Sequence, residues 1–128
     1  MKVNVLVDSY GWIEYFGDGP LADKYAEYIE KANINEYITP SIILYEVYKK
    51  IKREKSEDKA LEAYAHIVNY TRIAPLDEKM SLDAAEKSLE LGLGMADSII
   101  MATADNNDAK IVTSDEHFKE LDNVVYIE

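Results

Sequence analysis

The sequence has no cysteine, no glutamine and only two histidines, and it sets 14 lysines and arginines against 25 aspartates and glutamates. Each shortage removes a class of chemistry. Without cysteine there are no disulfides, no thiolate metal sites and no cysteine nucleophile, which fits a reducing interior. The formal net charge of −11 and a pI near 4.6 argue against a polyanion partner, because phosphate binding usually rests on a basic face. No segment approaches the roughly 18 consecutive apolar residues of a membrane span. The opening MKVNVLVDSYGWIEYF does not read as a signal peptide, since Asn4 and Asp8 break its apolar run and no small-residue cleavage site follows. A cytoplasmic protein with no membrane partner is expected. The missing glutamine, beside many Lys, Glu, Ile and Tyr residues, leans towards a thermophile.

What is present is apolar and ordered in period. Of 128 residues, 48% are hydrophobic, enough for a buried core and one domain spanning 1–128. VNVLV (3–7) reads as a parallel strand buried on both faces, with Asp8 and Ser9 at its carboxyl end. YGWIEYF suggests a short helix and GDGP a turn. Residues 21–32 carry Leu21, Tyr25, Tyr28, Ile29 and Ala32 at helical spacing. EYIT (36–39) is a second strand, stopped at Pro40, with Ser41 placed to cap or open a helix over 42–55. That helix shows Ile43, Val47 and Ile51 on one face and a cationic end, KKIKREK. A helix begins at Ser56 and runs to about residue 70. RIAPL (72–76) reads equally as strand or loop. Residues 77–91 form a helix stopped by Gly92 and Gly94, and GMADSIIMATA opens the next, to about residue 106. KIVTS (110–114), a short helix through Leu121 and VVYI complete the chain. Strands alternating with helices imply an α/β fold, a mostly parallel sheet of four or five strands with helices on both faces.

Ligands of open α/β sheets bind beyond the carboxyl ends of the strands. Asp8 and Asp115 fall there directly. Glu46 lies one turn into the helix after the second strand, three residues after Ile43. Asp97 lies near the start of the apolar helix, three residues before Ile100, so both acids sit on or beside an inward face. Each has a plain structural role as well: Asp8 as a strand-end cap, Glu46 as an i,i+4 partner of Lys50, Asp97 at a helix dipole, Asp115 as cap of EHFKEL. Two inward acids with no nearby arginine nevertheless call for compensation. Hard oxygen ligands suit Mg²⁺ or Mn²⁺.

VLVDSYGWIEYF, PSIILYEV, GLGMADSIIMATA and IVTSDEHF, in this order and position, resemble a PIN domain, similar to the toxin half of VapBC toxin–antitoxin pairs. The resemblance spans the chain. It implies a Mg²⁺- or Mn²⁺-dependent ribonuclease with a three-layer fold, RNA as substrate, an antitoxin as partner and often a homodimer. It places Asp8, Glu46, Asp97 and Asp115 in the acidic site, with Thr113 and Ser9 in support. One position departs: where many relatives carry a further acid just before the phenylalanine of the last motif, this chain has His117. Asp8 and Asp97 are expected as the main ligands, with Glu46 and Asp115 acting directly or through water. Two divalent ions would cancel the four site acids. The cluster Lys49, Lys50, Lys52, Arg53 and Lys55 is a solvated helix end that could also touch RNA backbone.

Other readings stay open beside this one. A degenerate domain kept for protein binding would carry the same residues. A phosphoacceptor receiver domain shares strand-end acids, but it uses an adjacent acidic pair where Asp8 is followed by Ser9, and a lysine after a late strand, which VVYI lacks. GLG at 92–94 follows a helical segment and lacks the third glycine of a dinucleotide loop. His66 and the group Trp12, Tyr15 and Phe16 read as packing.

Overall fold

Four short apolar runs and one ambiguous segment become parallel strands, and their carboxyl ends decide where the acids go. A computed structural model describes residues 4–128 of the chain; Val3, expected to open the first strand, lies outside them. Strand β1 is Asn4–Val7, followed by α1 (Ser9–Phe16) and α2 (Ala22–Ile29). Next come β2 (Ile38–Pro40), α3 (Ser41–Glu54), α4 (Glu57–Tyr70) and β3 (Arg72–Ala74). Helices α5 (Glu78–Leu91) and α6 (Met95–Asn106), strand β4 (Ala109–Thr113), a 3-10 turn (Glu116–Phe118) and β5 (Val124–Tyr126) complete the fold.

All strand pairings among these elements are parallel. β4 lies between β1 and β5, with Val7 opposite Val112. β2 and β3 form a separate pair, so RIAPL is strand at its start. Among the described residues a single bridge, Val5 to Tyr37, joins the two sets, and the Val5 N–H donates to the Glu36 carbonyl at 2.8 Å. The expected sheet of four or five strands is thus a three-stranded sheet and a two-stranded one held edge to edge. Consecutive residues Leu6 and Val7, and Ile111 to Thr113, are all buried. Neighbouring strand side chains point to opposite faces, so both faces of the sheet are covered.

The helix ends follow the local chemistry. Asp8, Ser56 and Asp77 cap α1, α4 and α5 with side-chain oxygens that accept backbone N–H groups. Gly92 ends α5 in the left-handed region at φ 70°, where a side chain would be strained. Gly11 permits a close approach: a β-carbon there would lie 2.6 Å from the Tyr25 ring and from Val7. α3 starts one residue earlier than expected, at Ser41, with Pro40 as the flanking extended residue. The core joins Leu6, Trp12, Tyr25, Ile43, Ile67, Ile111 and Phe118. His66 packs against Tyr70, with ring centroids 4.7 Å apart, and beside Trp12 and Phe16, as read from the sequence. No helix among the described residues is long and apolar enough to cross a membrane.

Candidate metal centre

Because β1 and β4 run side by side in the same direction, the residues just beyond them meet. The Asp8 N–H donates to the Val112 carbonyl at 3.0 Å. The Asp8 side chain then turns into the protein and is 2% exposed. Its Oδ1 accepts the Ser9 N–H at 2.7 Å, and its Oδ2 accepts the Thr113 hydroxyl, also at 2.7 Å. Thr113 Oγ1 in turn accepts the Asp115 N–H at 2.9 Å. One buried hydroxyl therefore fixes the spacing between two acids 107 positions apart in the chain.

The helices bring the other two. Ile43 and Val47 are buried on the inner face of α3, and this rotates Glu46 onto the edge of the same opening. Glu46 Oε1 is buried and takes no hydrogen bond, the one such side-chain atom among the described residues. In α6, Ile99 to Ala104 are buried, which turns Asp97, in the first turn, along the inner edge. Asp97 Oδ2 meets the His117 imidazole, with Nδ1 at 2.9 Å, and the same nitrogen lies 3.4 Å from Asp115 Oδ1.

Asp8, Ser9, Glu46, Asp97 and Asp115 all line one cavity of about 170 Å³. Thr113 stands behind it, fully buried. The six residues singled out in the sequence are therefore brought together, and none is stranded elsewhere. Three lining residues were not singled out for the site, Tyr10, Ile13 and Lys50. Tyr10 is two positions after Asp8 in the helix that Asp8 caps, and Lys50 shares a face of α3 with Glu46, so both had a positional signal. The Glu46–Lys50 pair, the plain structural alternative for Glu46, is absent among the described residues: Lys50 Nζ pairs with Glu54 at 3.3 Å. Both partners of that pair are about half exposed, whereas Glu46 Oε1 is sealed from water, so the lysine turns outward where its charge stays hydrated.

The electrostatics follow from burial and crowding. Burial pushes the Asp8 carboxyl up from 3.8 to about 7, against the pull of its bonds to Thr113 and Ser9 and with the added push of Glu46 and Asp115. Burial also raises Glu46; the Ser9 hydroxyl beside it opposes the rise, and Asp97 and Asp115 add to it. Asp97 is raised by burial despite its bond to His117. The His117 imidazole is raised in its turn by Asp97 and Asp115. A like-charged cluster holds its protons when nothing balances it.

This donor set fits a hard divalent cation. It offers carboxylate oxygens, one of them buried with no partner, and among the described residues none of the four acids takes a lysine or arginine as an ion-pair partner. Ligand atoms of Asp97, Asp115 and His117 lie within 4.8 Å of one another, a spacing one ion can bridge.

Residues 5–124 match the family model for the PIN domain. The chain belongs to the PIN domain family. Its fold resembles a toxin–antitoxin complex chain from Klebsiella pneumoniae at a TM-score of 0.78, with 20% identity over 95% of this chain and 96% of that one. It also resembles VapBC2 from Rickettsia felis, solved bound to a DNA fragment from its promoter (TM-score 0.74, 17% identity, 98% and 100% covered). A third is VapC20 of Mycobacterium tuberculosis, described as a sarcin–ricin-loop-cleaving toxin (TM-score 0.71, 14% identity, 84% and 85% covered). No curated protein matches the chain. The family match sets aside the receiver-domain reading.

Proposed function

We propose that this PIN domain is a metal-dependent endoribonuclease and the toxin of a toxin–antitoxin pair. The observation that carries the reading is the convergence of Asp8, Glu46, Asp97 and Asp115, from four separate elements, on one cavity without a lysine or arginine partner. Fold likeness to the toxin of Mycobacterium tuberculosis and to toxin–antitoxin complexes supports both the activity and a protein partner.

The four carboxylates would hold Mg²⁺ or Mn²⁺, which when bound lowers the pKa of water and offsets charge on the phosphate. The chain's own residues do the rest. Thr113 and the Ser9 N–H fix both oxygens of Asp8, so the deepest carboxylate cannot rotate away. Glu46 Oε1, buried and with no hydrogen bond of its own, is left free to take the bound cation. No side-chain nucleophile is needed. RNA approaches an acidic protein here along α3, whose second half carries Lys49, Lys52 and Arg53, with Lys55 as the residue that follows it. Cations along that track offset part of the long-range repulsion. An antitoxin would use a basic segment, since an Arg or Lys can enter an acidic pocket. Exposed Leu82 and Leu89 on α5 support association with a second copy.

The test is cleavage of a mixed RNA pool with Mn²⁺ or Mg²⁺, comparing wild type with Asp97→Asn. Cleavage that needs the metal and is lost in the variant supports the reading. Equal cleavage by both proteins points to a contaminant and removes it. Antitoxin binding without any metal-dependent cleavage favours a domain kept for interaction alone.

A further inference from the structure

One residue beside the acidic cavity places a nitrogen against the carboxylates. His117 lies in the 3-10 turn after β4, and Phe118, fully buried, anchors that turn in the core. The His117 N–H donates to Asp115 Oδ1 at 2.9 Å, which sets the direction in which its side chain leaves the backbone. The result is Nδ1 at 2.9 Å from Asp97 Oδ2 and 3.4 Å from Asp115 Oδ1. Adjacent ligand atoms of an octahedral ion with bonds of about 2.1 Å stand roughly 3 Å apart. The imidazole nitrogen already stands at nearly that spacing from each of the two carboxylate oxygens, and the three groups offer ligand atoms within 4.8 Å of one another.

We propose that His117 is a nitrogen ligand of the cation held by Asp97 and Asp115, and that it biases this site towards transition-metal ions over Mg²⁺. The proposal rests on the metal-site reading above and sharpens it. Magnesium takes oxygen ligands and gives up its waters reluctantly, whereas imidazole suits Fe²⁺, Ni²⁺ and Zn²⁺ best, and Mn²⁺, at the foot of that transition-metal order, still accepts it more readily than Mg²⁺ does. An all-oxygen set discriminates weakly between Mg²⁺ and Mn²⁺; replacing one oxygen with nitrogen moves the balance. The ring is 72% exposed, so it can adjust to the ion without disturbing the core. A competing account has the imidazole acting only as a positive charge that quiets the two acids. In that account it withdraws when a metal enters, and no nitrogen–metal bond forms.

The test compares the full-length wild type with His117→Asp, which puts an oxygen ligand in place of the nitrogen, and Asp97→Asn. Mn²⁺ and Mg²⁺ are titrated separately by calorimetry, and electron spin-echo modulation is recorded on the Mn²⁺-loaded proteins. The expected result is ¹⁴N modulation from a directly bound imidazole in wild type, absent in His117→Asp. The preference for Mn²⁺ over Mg²⁺ should fall by roughly tenfold in His117→Asp. The ratio is the readout because the added carboxylate changes both affinities together. Mn²⁺ bound by wild type with no ¹⁴N modulation, and the same preference in both proteins, overturns the role of His117 and leaves the acidic site standing. No Mn²⁺ binding by wild type, or binding unchanged in Asp97→Asn, overturns the site and this inference with it.

Discussion

Two acidic regions of this protein use the same residue types to opposite ends. On the outer surface of α5 and α6, Asp83 accepts Lys79 at 2.8 Å and Asn106 at 3.1 Å, and Asp105 meets Lys87 at 2.5 Å. Lys79, with Asn106 in support, holds the Asp83 carboxyl below its ordinary range. In the cavity at the sheet edge, Asp8, Glu46 and Asp97 are all pushed above theirs. The difference lies in what surrounds the carboxylates. On the surface each acid has a lysine on a neighbouring turn or helix and water around it. At the sheet edge Lys50, the nearest lysine on the same face, turns to Glu54. Charges crowded where the fold supplies no lysine or arginine are costly to keep, and a divalent ion offsets the cost.

The contrast can be broken first at catalysis. Asp97→Asn should lower metal-dependent RNA cleavage by about 10²- to 10³-fold, comparable to losing one group that stabilises transition-state charge. Asp83→Asn should leave it unchanged in the same assay. The second effect is on stability. In metal-free protein Asp8 has a folded pKa near 7 against 3.8 unfolded, so its contribution favours folding below pH about 4 and is lost as pH rises through about 7. Asp8→Asn removes that loss. The variant should match wild type near pH 4 and exceed it at pH 7.5 by as much as about 4 kcal/mol, read by chemical unfolding with chelator. Saturating Mn²⁺ should shrink this gap by raising wild type alone.

A smaller effect is expected at Thr113. Thr113→Val keeps the shape but leaves the Asp115 N–H and Asp8 Oδ2 without their shared partner. A loss of about 1–3 kcal/mol is expected in urea unfolding, along with weaker Mn²⁺ binding. Smallest of all, Lys79→Ala should barely move the melting temperature and should not alter its rise with Mn²⁺, because an exposed pair contributes little. A metal-dependent change in that variant would mean that the two regions are not electrically distinct.

Much of the site was legible because it depends on periodicity. Asp8 follows an apolar strand, Asp115 follows another, and the offsets from Ile43 to Glu46 and from Asp97 to Ile100 mark inward faces. Side-by-side placement of β1 and β4 turns those four readings into one cavity. The rest depends on contacts with no local signal. RIAPL is ambiguous because three residues become strand only through pairing with β2. The split in the sheet arises because Glu36 and Tyr37 reach β1 through one bridge before Ile38 begins the second strand. His117 stood out as a departure, but its aim depends on Phe118 being anchored in the core. The choice of Glu54 over Glu46 by Lys50 is likewise invisible in spacing, since both acids lie four residues away; burial decides it.

The most direct test of the converging carboxylates is anomalous diffraction from crystals grown with Mn²⁺. The account predicts a manganese peak in the cavity, within about 2.0–2.3 Å of carboxylate oxygens of Asp97 and of Asp8 or Asp115. A peak at Asp83 and Asp105 with none in the cavity would contradict it.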